Sequence, residues 1–456
     1  MNTVEPGNHD QWGSRTTFVL ALSASAVGMG NLWRFSYLSG EYGGGAFVIS
    51  YVLCLFLIAT PVMIAEVVLG SYGGPSPTAA IRRACDGSLR SRGWRLVGVL
   101  ACLAGVLLLS CYIVVAGWGM AYAGFMYTGV FSAARIIDVG NHFEQFLAEP
   151  MQQVFWQSLF LLLTAGTVVL GVRRGLGMLV WLAVPLIVAM LAFLIKFAFD
   201  YGDIAATRNF LFSTRLVDFS AHSVLVALGH ALFTLGVGVG TGISYGAYAP
   251  RRIPIGRSVM AVAVFDTVIA LLAGLAIFPV VFANNIEPAS GPGLLFISLP
   301  YAFGNLMLGE VVGTVFFVLM VLAALGSAVA VLEPVVAMLM RSVNIARFTA
   351  VTIVGAVVWL LGWAVVTSFG SKLVWQWSGL RNLLAVFDFV TASVLLPLVA
   401  LFIAVLVGWR MRPEILRTEL TRESQLFFSL WRFLLRYIAP PAIVLLILAQ
   451  LWSTAA

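Results

Sequence analysis

The sequence predicts an all-α membrane protein of about eleven transmembrane helices, built as a five-plus-five inverted repeat with discontinuous helices 1 and 6. Three observations predict it. The chain is 61% hydrophobic and only 10% charged, whereas a soluble domain carries about 25% charged residues. Its apolar runs recur at bilayer length. Two of them, the first and the sixth, are interrupted by glycine clusters, Ser23-Ala-Ser-Ala-Val-Gly-Met-Gly-Asn31 and Thr234-Leu-Gly-Val-Gly-Val-Gly240. Unwound backbone inside a bilayer is tolerated only where it is buried in protein or lines a cavity. Paired breaks in corresponding halves therefore point to a binding site near the membrane midplane.

Apolar spans of about 20 residues or more lie at about 15–38, 45–70, 96–127, 153–171, 176–199, 221–248, 257–284, 309–340, 348–368, 383–408 and 427–452. The spans within 15–199 form the first half and those within 221–408 the second. Each half holds an odd number of crossings, so the halves must have inverted topology, and the breaks then fall in the first helix of each. The eleventh span, 427–452, lies outside the repeat and is expected to be peripheral. Residues 1–456 thus read as a single transmembrane domain. The longest extramembrane stretches are 71–95, 128–152, 200–220 and 285–308. The last holds Pro288, Gly291, Pro292 and Gly293 and is expected to fold into an outer vestibule as a lid.

The net charge is +7, but its placement argues for membrane orientation and against a nucleic-acid partner. With the N-terminus in the cytoplasm, the inward loops hold Arg82, Arg83, Arg90, Arg92, Arg95, Arg173, Arg174, Arg251, Arg252, Arg257, Arg341, Arg347, Arg410, Arg412, Arg417 and Arg422. The outward loops hold Asp138, Glu144, Glu149, Asp200, Asp203, Asp218 and Glu287. This positive-inside bias places the C-terminus outside. Arg34 within the first apolar segment argues against a cleavable signal peptide. Cys54, Cys85, Cys102 and Cys111 read as small apolar residues rather than a disulfide framework. Metal-ligand spacing, a phosphate-cradling loop and a nucleophile motif are all missing, and Gly73-Gly-Pro-Ser-Pro77 is a turn too short for phosphate, so an enzyme is not expected.

The run Ala26-Val-Gly-Met-Gly-Asn-Leu-Trp-Arg-Phe35 is followed by Gly43-Gly-Gly-Ala-Phe47. Phe233-Thr-Leu, Asp266-Thr with Gly274, Ala323-Ala-Leu-Gly-Ser327 and Glu333-Pro come later. Together they resemble the neurotransmitter:sodium symporter family from Trp12 to about Pro441, in a form with eleven helices rather than twelve. The resemblance implies the five-plus-five fold and sodium-coupled uptake of amino acids or related amines. Elementary chemistry agrees, because sodium is a hard cation that takes oxygen ligands and an unwound helix offers carbonyls without another buried charge.

For a first sodium site the resemblance implies the Ala26 carbonyl, the Asn31 amide oxygen, the Thr234 hydroxyl and carbonyl, and Asp266, completed by the substrate carboxylate. Read alone, Asn31 could simply cap the break and Thr234 bond back to its own helix. Asp266, a carboxylate in an apolar helix, is a functional candidate by itself. A second sodium site would use the Ala24, Val27 and Ala323 carbonyls and the Ser327 hydroxyl. Gly326 stands there where a threonine or aspartate is usual, so a water or Ser25 would have to replace an oxygen, or the site would be weak.

The same resemblance implies that the substrate carboxylate meets the amides of Met29 and Gly30, at a half-helix N-terminus where the dipole favours anions, and the Tyr112 hydroxyl. The amine would lie near the carbonyls of Ala26 and Phe233 and the Ser327 hydroxyl. Side-chain specificity falls to Leu108, Phe233, Gly236, Val239, Ser327 and Val331, and because Gly236 and Val239 are small where the family often has bulkier residues, the resemblance implies an apolar, roomy pocket. Without the resemblance, Leu108 and Val331 would read as ordinary packing. Tyr51 and His230 match neighbours of the family's anion site, and Ala270 stands where an acid or serine can occur. The fixed charge of Asp266 should make chloride unnecessary. His230 reads either as a proton carrier beside Asp266 or as a neutral, hydrogen-bonded core residue.

Arg34 and Asp388 match an outer gate, although an interfacial arginine also reads as a snorkelling side chain. Trp12 and Arg15 fit the N-terminal segment, but His9 and Arg341 occupy the positions of an inner ion pair and cannot form one. Inner closure then falls to Trp12 with Tyr245 and Tyr248, or to Asp10, and Arg341 reads as a positive-inside anchor. The expectation is a chloride-independent sodium symporter for a large aliphatic or aromatic amino acid in a bacterial inner membrane, as a monomer or homodimer. The alternatives are a transporter of an amine or non-α amino acid with proton involvement, and a non-transporting sensor of the same fold.

Overall fold

A computed structural model describes residues 11–88, 92–213, 217–250, 252–284, 293–370 and 382–455. Every extended regular element among them is helical. The first span is two helices, α1 (Arg15–Ala26) and α2 (Gly30–Glu41), set 63° apart. Ser14 starts α1 by accepting the Thr17 amide at 3.1 Å. Val27 ends it by turning extended, at φ −72° and ψ 103°. The sixth span is also two helices, α10 (Ala221–Thr234) and α11 (Thr241–Ala247) in the full chain order below. Between them Gly236, Gly238 and Gly240 have φ of +65°, +97° and +79°. Only glycine adopts such angles without strain, which is why the helix breaks here.

The remaining elements are α3 (Gly45–Gly73), α4 (Pro77–Ser88), α5 (Arg95–Tyr127), α6 (Ile136–Ala148), α7 (Pro150–Val169), α8 (Val172–Tyr201) and α9 (Ile204–Phe212). After the sixth span come α12 (Ile255–Ala283), α13 (Leu294–Gly304), α14 (Gly309–Val343), α15 (Arg347–Phe369), α16 (Leu383–Arg410), α17 (Pro413–Glu419) and α18 (Gln425–Trp452). Eight of these helices are each long and apolar enough to cross a bilayer, and α1 with α2 makes a ninth span. The 20-residue α7 and the broken pair α10–α11 occupy the other two expected positions.

The extramembrane stretches are more ordered than their composition suggests. They carry α4, α6, α9, α13 and α17, which sequence inspection at bilayer length passes over because each is too short to span. Asp203, for example, starts α9 by accepting the Ala206 amide at 2.9 Å. Of the expected outer lid, α13 docks on the turn after α5, with the Ala133 amide donating to the Gly304 carbonyl at 3.0 Å. Pro288, Gly291 and Pro292 lie outside the described residues.

Two packing features position the site. The long helices α5 and α14 run side by side and form a wall facing the breaks. Against the other side, α3 touches α11 through glycine: a methyl on Gly70 would fall 1.8 Å from the Ile243 carbonyl oxygen, and one on Gly246 2.4 Å from that of Val67. Small residues allow this backbone approach in membranes, where lipid is as apolar as the helices. Outward-facing leucines are exposed, Leu162 and Leu182 at 68% each, which is the surface a bilayer covers. Along α18 only 22% of the most apolar 18-residue stretch is buried.

Candidate functional site

The two breaks meet between α5 and α14 and enclose a chamber of about 50 Å³, several times what one water requires. Ala26, Gly30, Leu108, Tyr112, Phe233, Gly236, Val239, Ser327 and Val331 line it, together with Ser25 and Ala328, which the substrate argument did not name. Met29 contributes its amide, which donates to the Tyr112 hydroxyl at 3.3 Å. Gly28 makes this convergence possible, since a methyl there would lie 2.7 Å from Ser327 Oγ and 2.8 Å from Tyr112 Oη. The chamber is apolar as expected but compact rather than roomy, because Phe233 closes its top. Above Phe233 a vestibule of about 360 Å³ opens between Arg34, Leu108, Tyr112 and Asp388.

Asp266 on α12 is fully buried. Its Oδ1 accepts from Asn31 Nδ2 at 2.8 Å and its Oδ2 from the Tyr51 hydroxyl at 3.0 Å, while the Thr234 hydroxyl reaches both oxygens at 3.1 Å. The Asn31 amide oxygen accepts the Gly28 amide at 3.1 Å, which fixes the turn of the break. Asn31, Thr234 and Asp266 thus form one cluster beside Ala26. A buried carboxylate without a counter-ion is costly, and three hydrogen-bond donors with no cationic side chain leave a net negative charge suited to a small cation.

The second set also converges. The Ser327 hydroxyl lies 3.5 Å from the Ala24 carbonyl, 3.3 Å from that of Val27 and 3.5 Å from that of Ala323. These distances are long for hydrogen bonds and leave four oxygens around one point. The Ser25 hydroxyl donates to the Leu22 carbonyl of its own helix at 2.7 Å.

The His230 ring is buried between Phe35, 5.8 Å away and stacked, and Tyr51, 5.4 Å away, and among the described residues neither ring nitrogen has a hydrogen-bond partner. Tyr51, not His230, bonds the Asp266 carboxylate. Ala270 is buried beneath Asp266.

Arg34 Nη1 and Asp388 Oδ1 stand 3.9 Å apart across the vestibule floor, and the Arg34 guanidinium lies 4.7 Å from the Phe233 ring centroid. At the opposite end Trp12 is buried. Its indole N–H donates to the Tyr245 carbonyl at 3.1 Å and its backbone N–H to the Tyr248 carbonyl at 2.8 Å. Both tyrosine rings meet it edge-on, at 5.2 and 6.2 Å. Arg15 donates to Ser258 at 3.0 Å. Arg341 is exposed and, among the described residues, has no ion pair; His9 and Asp10 lie outside them.

Two acids received no role in the sequence argument, although Glu333 stands in one of the quoted motifs. Glu66 Oε1 on α3 accepts the Gly238 amide at 2.8 Å, satisfying a donor freed by the second break. Glu333 on α14 takes the Tyr248 hydroxyl at 2.7 Å and pairs with Arg347. Arg347 also donates to the Val168 carbonyl at 2.7 Å. Lone carboxylates in apolar spans were the available signal, the same one that singled out Asp266.

Two broken helices around a chamber, with a vestibule at one end, are the architecture of a secondary transporter. Residues 9–133 and 149–455 match the Sodium:neurotransmitter symporter family, and the chain belongs to it. It is 31% identical over 441 residues, 96% of this chain and 97% of the other, to the uncharacterised sodium-dependent transporter YhdH of Bacillus subtilis. It is 25% identical to the sodium- and chloride-dependent GABA transporter 2 of Mus musculus, covering 88% of this chain and 73% of that one. A crystal structure of MhsT in complex with L-phenylalanine superposes with a TM-score of 0.89 at 36% identity, covering 97% of this chain and 99% of that one. The chain is a sodium-dependent membrane transporter and not an enzyme.

Proposed function

We propose that the protein imports a large aliphatic or aromatic amino acid together with sodium and does not need chloride. The observation that carries this reading is the junction of an apolar chamber with the Asn31–Thr234–Asp266 cluster at its Met29–Tyr112 end. A zwitterion would place its carboxylate at the Met29 and Gly30 amides and the Tyr112 hydroxyl, with its side chain toward Leu108, Val239 and Val331. Sodium at Ala26, Asn31, Thr234 and Asp266 would share that carboxylate, which makes ion and solute bind together. A second sodium would sit among Ala24, Val27, Ala323 and Ser327. The solute bound in the MhsT structure, L-phenylalanine, supports the substrate class.

An aromatic side chain exceeds the compact chamber, so Phe233 would swing with Arg34 as the solute enters. Arg34 and Asp388 would then draw together above it. Release requires Trp12 to leave Tyr245 and Tyr248 and the Tyr248–Glu333–Arg347 network to open. Moving helices α1, α2, α3, α10, α11 and α12 against the rest accomplishes both. The arginine distribution supports a cytoplasmic N-terminus in a bacterial inner membrane, and the paired breaks support inverted repeats at 15–199 and 221–408.

Thermal shift of the detergent-purified protein against amino acids, in sodium and in potassium, names the solute and tests ion linkage together. Uptake into proteoliposomes that ignores a sodium gradient would defeat the coupling. The second reading, a non-α amino acid or amine, is favoured by relatives named for GABA and taurine transport. Competition by such compounds, with none by leucine or phenylalanine, would decide for it.

A further inference from the structure

We propose that the end of α16 and the first turns of α18 form a binding site for the phosphate of an anionic phospholipid. Arg432 and Arg436 stand four residues apart on α18 and so project from one face. The helices are close here: a methyl on Gly408 would lie 3.1 Å from Arg436 Cγ. Trp409 donates its indole N–H to the Arg436 carbonyl at 3.1 Å. The Arg436 guanidinium lies 5.4 Å from the Trp409 ring centroid and 6.0 Å from that of Tyr437.

The charges ask for an anion. The Nε atoms of Arg432 and Arg436 are both shielded from solvent, and among the described residues neither has a hydrogen-bond partner, although such donors are ordinarily satisfied. Arg410 and Arg412 follow directly on α16. Among the described residues none of these four arginines makes an ion pair within 4.0 Å, and Glu414 is the acid that faces Arg432. Arg432 and Arg436 repel one another, and arginine forks bind phosphate oxygens in pairs.

The surroundings select a lipid as the source of that phosphate. Trp409, Phe433 and Tyr437 are 52%, 51% and 53% exposed at the end of an apolar span, the arrangement that marks a bilayer interface. Basic pockets between transmembrane helices on the cytoplasmic side take anionic headgroups. A phosphodiester bridging Arg432 and Arg436 supplies the missing acceptors, and its acyl chains run along Phe433 and Tyr437. A small soluble anion would satisfy the charge but leave those rings uncovered.

Native mass spectrometry of the full chain with phosphatidylglycerol or phosphatidylcholine tests the site. The unaltered protein should retain phosphatidylglycerol through detergent stripping and phosphatidylcholine hardly at all. Arg432→Gln/Arg436→Gln should lower phosphatidylglycerol retention by about thirtyfold, the order expected of two arginines at a membrane surface. Arg432→Lys/Arg436→Lys, which keeps the charge, should retain an intermediate amount. Thermal unfolding of the unaltered protein makes the test independent of any misfolded variant: phosphatidylglycerol should raise Tm and inorganic phosphate should not. Equal retention of the two lipids, undiminished retention by the glutamine variant, or an equal shift with inorganic phosphate would overturn the proposal.

Discussion

A side chain added at Gly326 would begin 2.7 Å from the Ala24 carbonyl oxygen and 3.2 Å from the Ala24 methyl. The Ser327 hydroxyl approaches that same carbonyl at 3.5 Å. The absent oxygen at position 326 is therefore also a packing condition: α1 and α14 are too close there for any larger residue. Restoring a threonine should cost about 1–3 kcal/mol through overpacking against backbone, and it should weaken sodium-dependent stabilisation rather than improve it. Comparing the Tm of Gly326→Thr with that of the unaltered protein, each with and without sodium, checks both. Tighter sodium binding in the variant would show that the missing ligand, not the packing, governs the site.

Asp266 supplies the only formal charge in its cluster. Asp266→Asn keeps the shape and a hydrogen-bonding group but removes that charge, and cation affinity follows ligand charge. The sodium concentration needed for half-maximal substrate binding should rise by about tenfold or more. Scintillation proximity binding across a sodium titration measures it. Replacing chloride with gluconate should leave binding by the unaltered protein unchanged.

The Arg34–Asp388 pair is 3.9 Å apart and half-open to water. Partly exposed pairs contribute about 1 kcal/mol or less, so Asp388→Asn should weaken substrate binding by no more than about fivefold. If the pair closes the route above a bound solute, substrate dissociation should accelerate by a similar factor. Stopped-flow release of a labelled amino acid reads this, and an unchanged off-rate would remove the pair from gating.

Trp12 is 3% exposed and plugs the opposite end. Trp12→Ala removes a packed indole, a loss of about 3–5 kcal/mol where neighbours do not collapse, and that loss falls on the inward-closed state. Hydrogen exchange should accelerate in α1 and α11 while α16 is unaffected. Unchanged exchange in α1 would contradict a closing role.

Glu419, in the segment joining α16 to α18, accepts the Ser71 hydroxyl at 2.5 Å. Burial pushes its carboxyl above the usual carboxylate value, with the Ser71 hydrogen bond and nearby Arg83 only partly opposing. An acid raised on folding binds its proton more tightly in the folded chain, so stability falls as pH rises from the ordinary carboxylate pKa through the folded one. Between about pH 4.5 and neutrality, Tm should therefore fall less in Glu419→Gln than in the unaltered protein. An equal fall in both would rule out this contribution.

What the sequence revealed follows from how each feature is encoded. Spans are legible because bilayer thickness is written as run length, and the breaks because glycine at 236, 238 and 240 leaves no other reading. Asn31, Thr234 and Asp266 were recognisable as a set only through family resemblance, since residues so far apart carry no local sign of proximity. Glu66 and Glu333 were as conspicuous as Asp266 in their apolar spans, but their partners, the Gly238 amide and Arg347, belong to other helices and are visible only in three dimensions. The start of α14 is less legible still: Leu308 precedes it at φ +61°, a conformation its side chain does not announce. The packing of His230 against Phe35 and Tyr51 is likewise visible only in three dimensions.

The alternation of glycine and valine through the second break also limits how this protein can change its diet. A Cβ on Gly238 would lie 2.6 Å from the Leu396 carbonyl and one on Gly240 2.9 Å from Pro77, so those positions are closed to variation by sterics as well as by backbone angle. Val237 is wholly enclosed. Among the residues of that loop after Thr234, Val239 is left as the chamber-lining side chain that can be exchanged without re-bending the chain. A lineage acquiring a new solute would therefore record the transition at Val239 and on the intact helices opposite, at Leu108 and Val331, while the broken segment itself stayed the same.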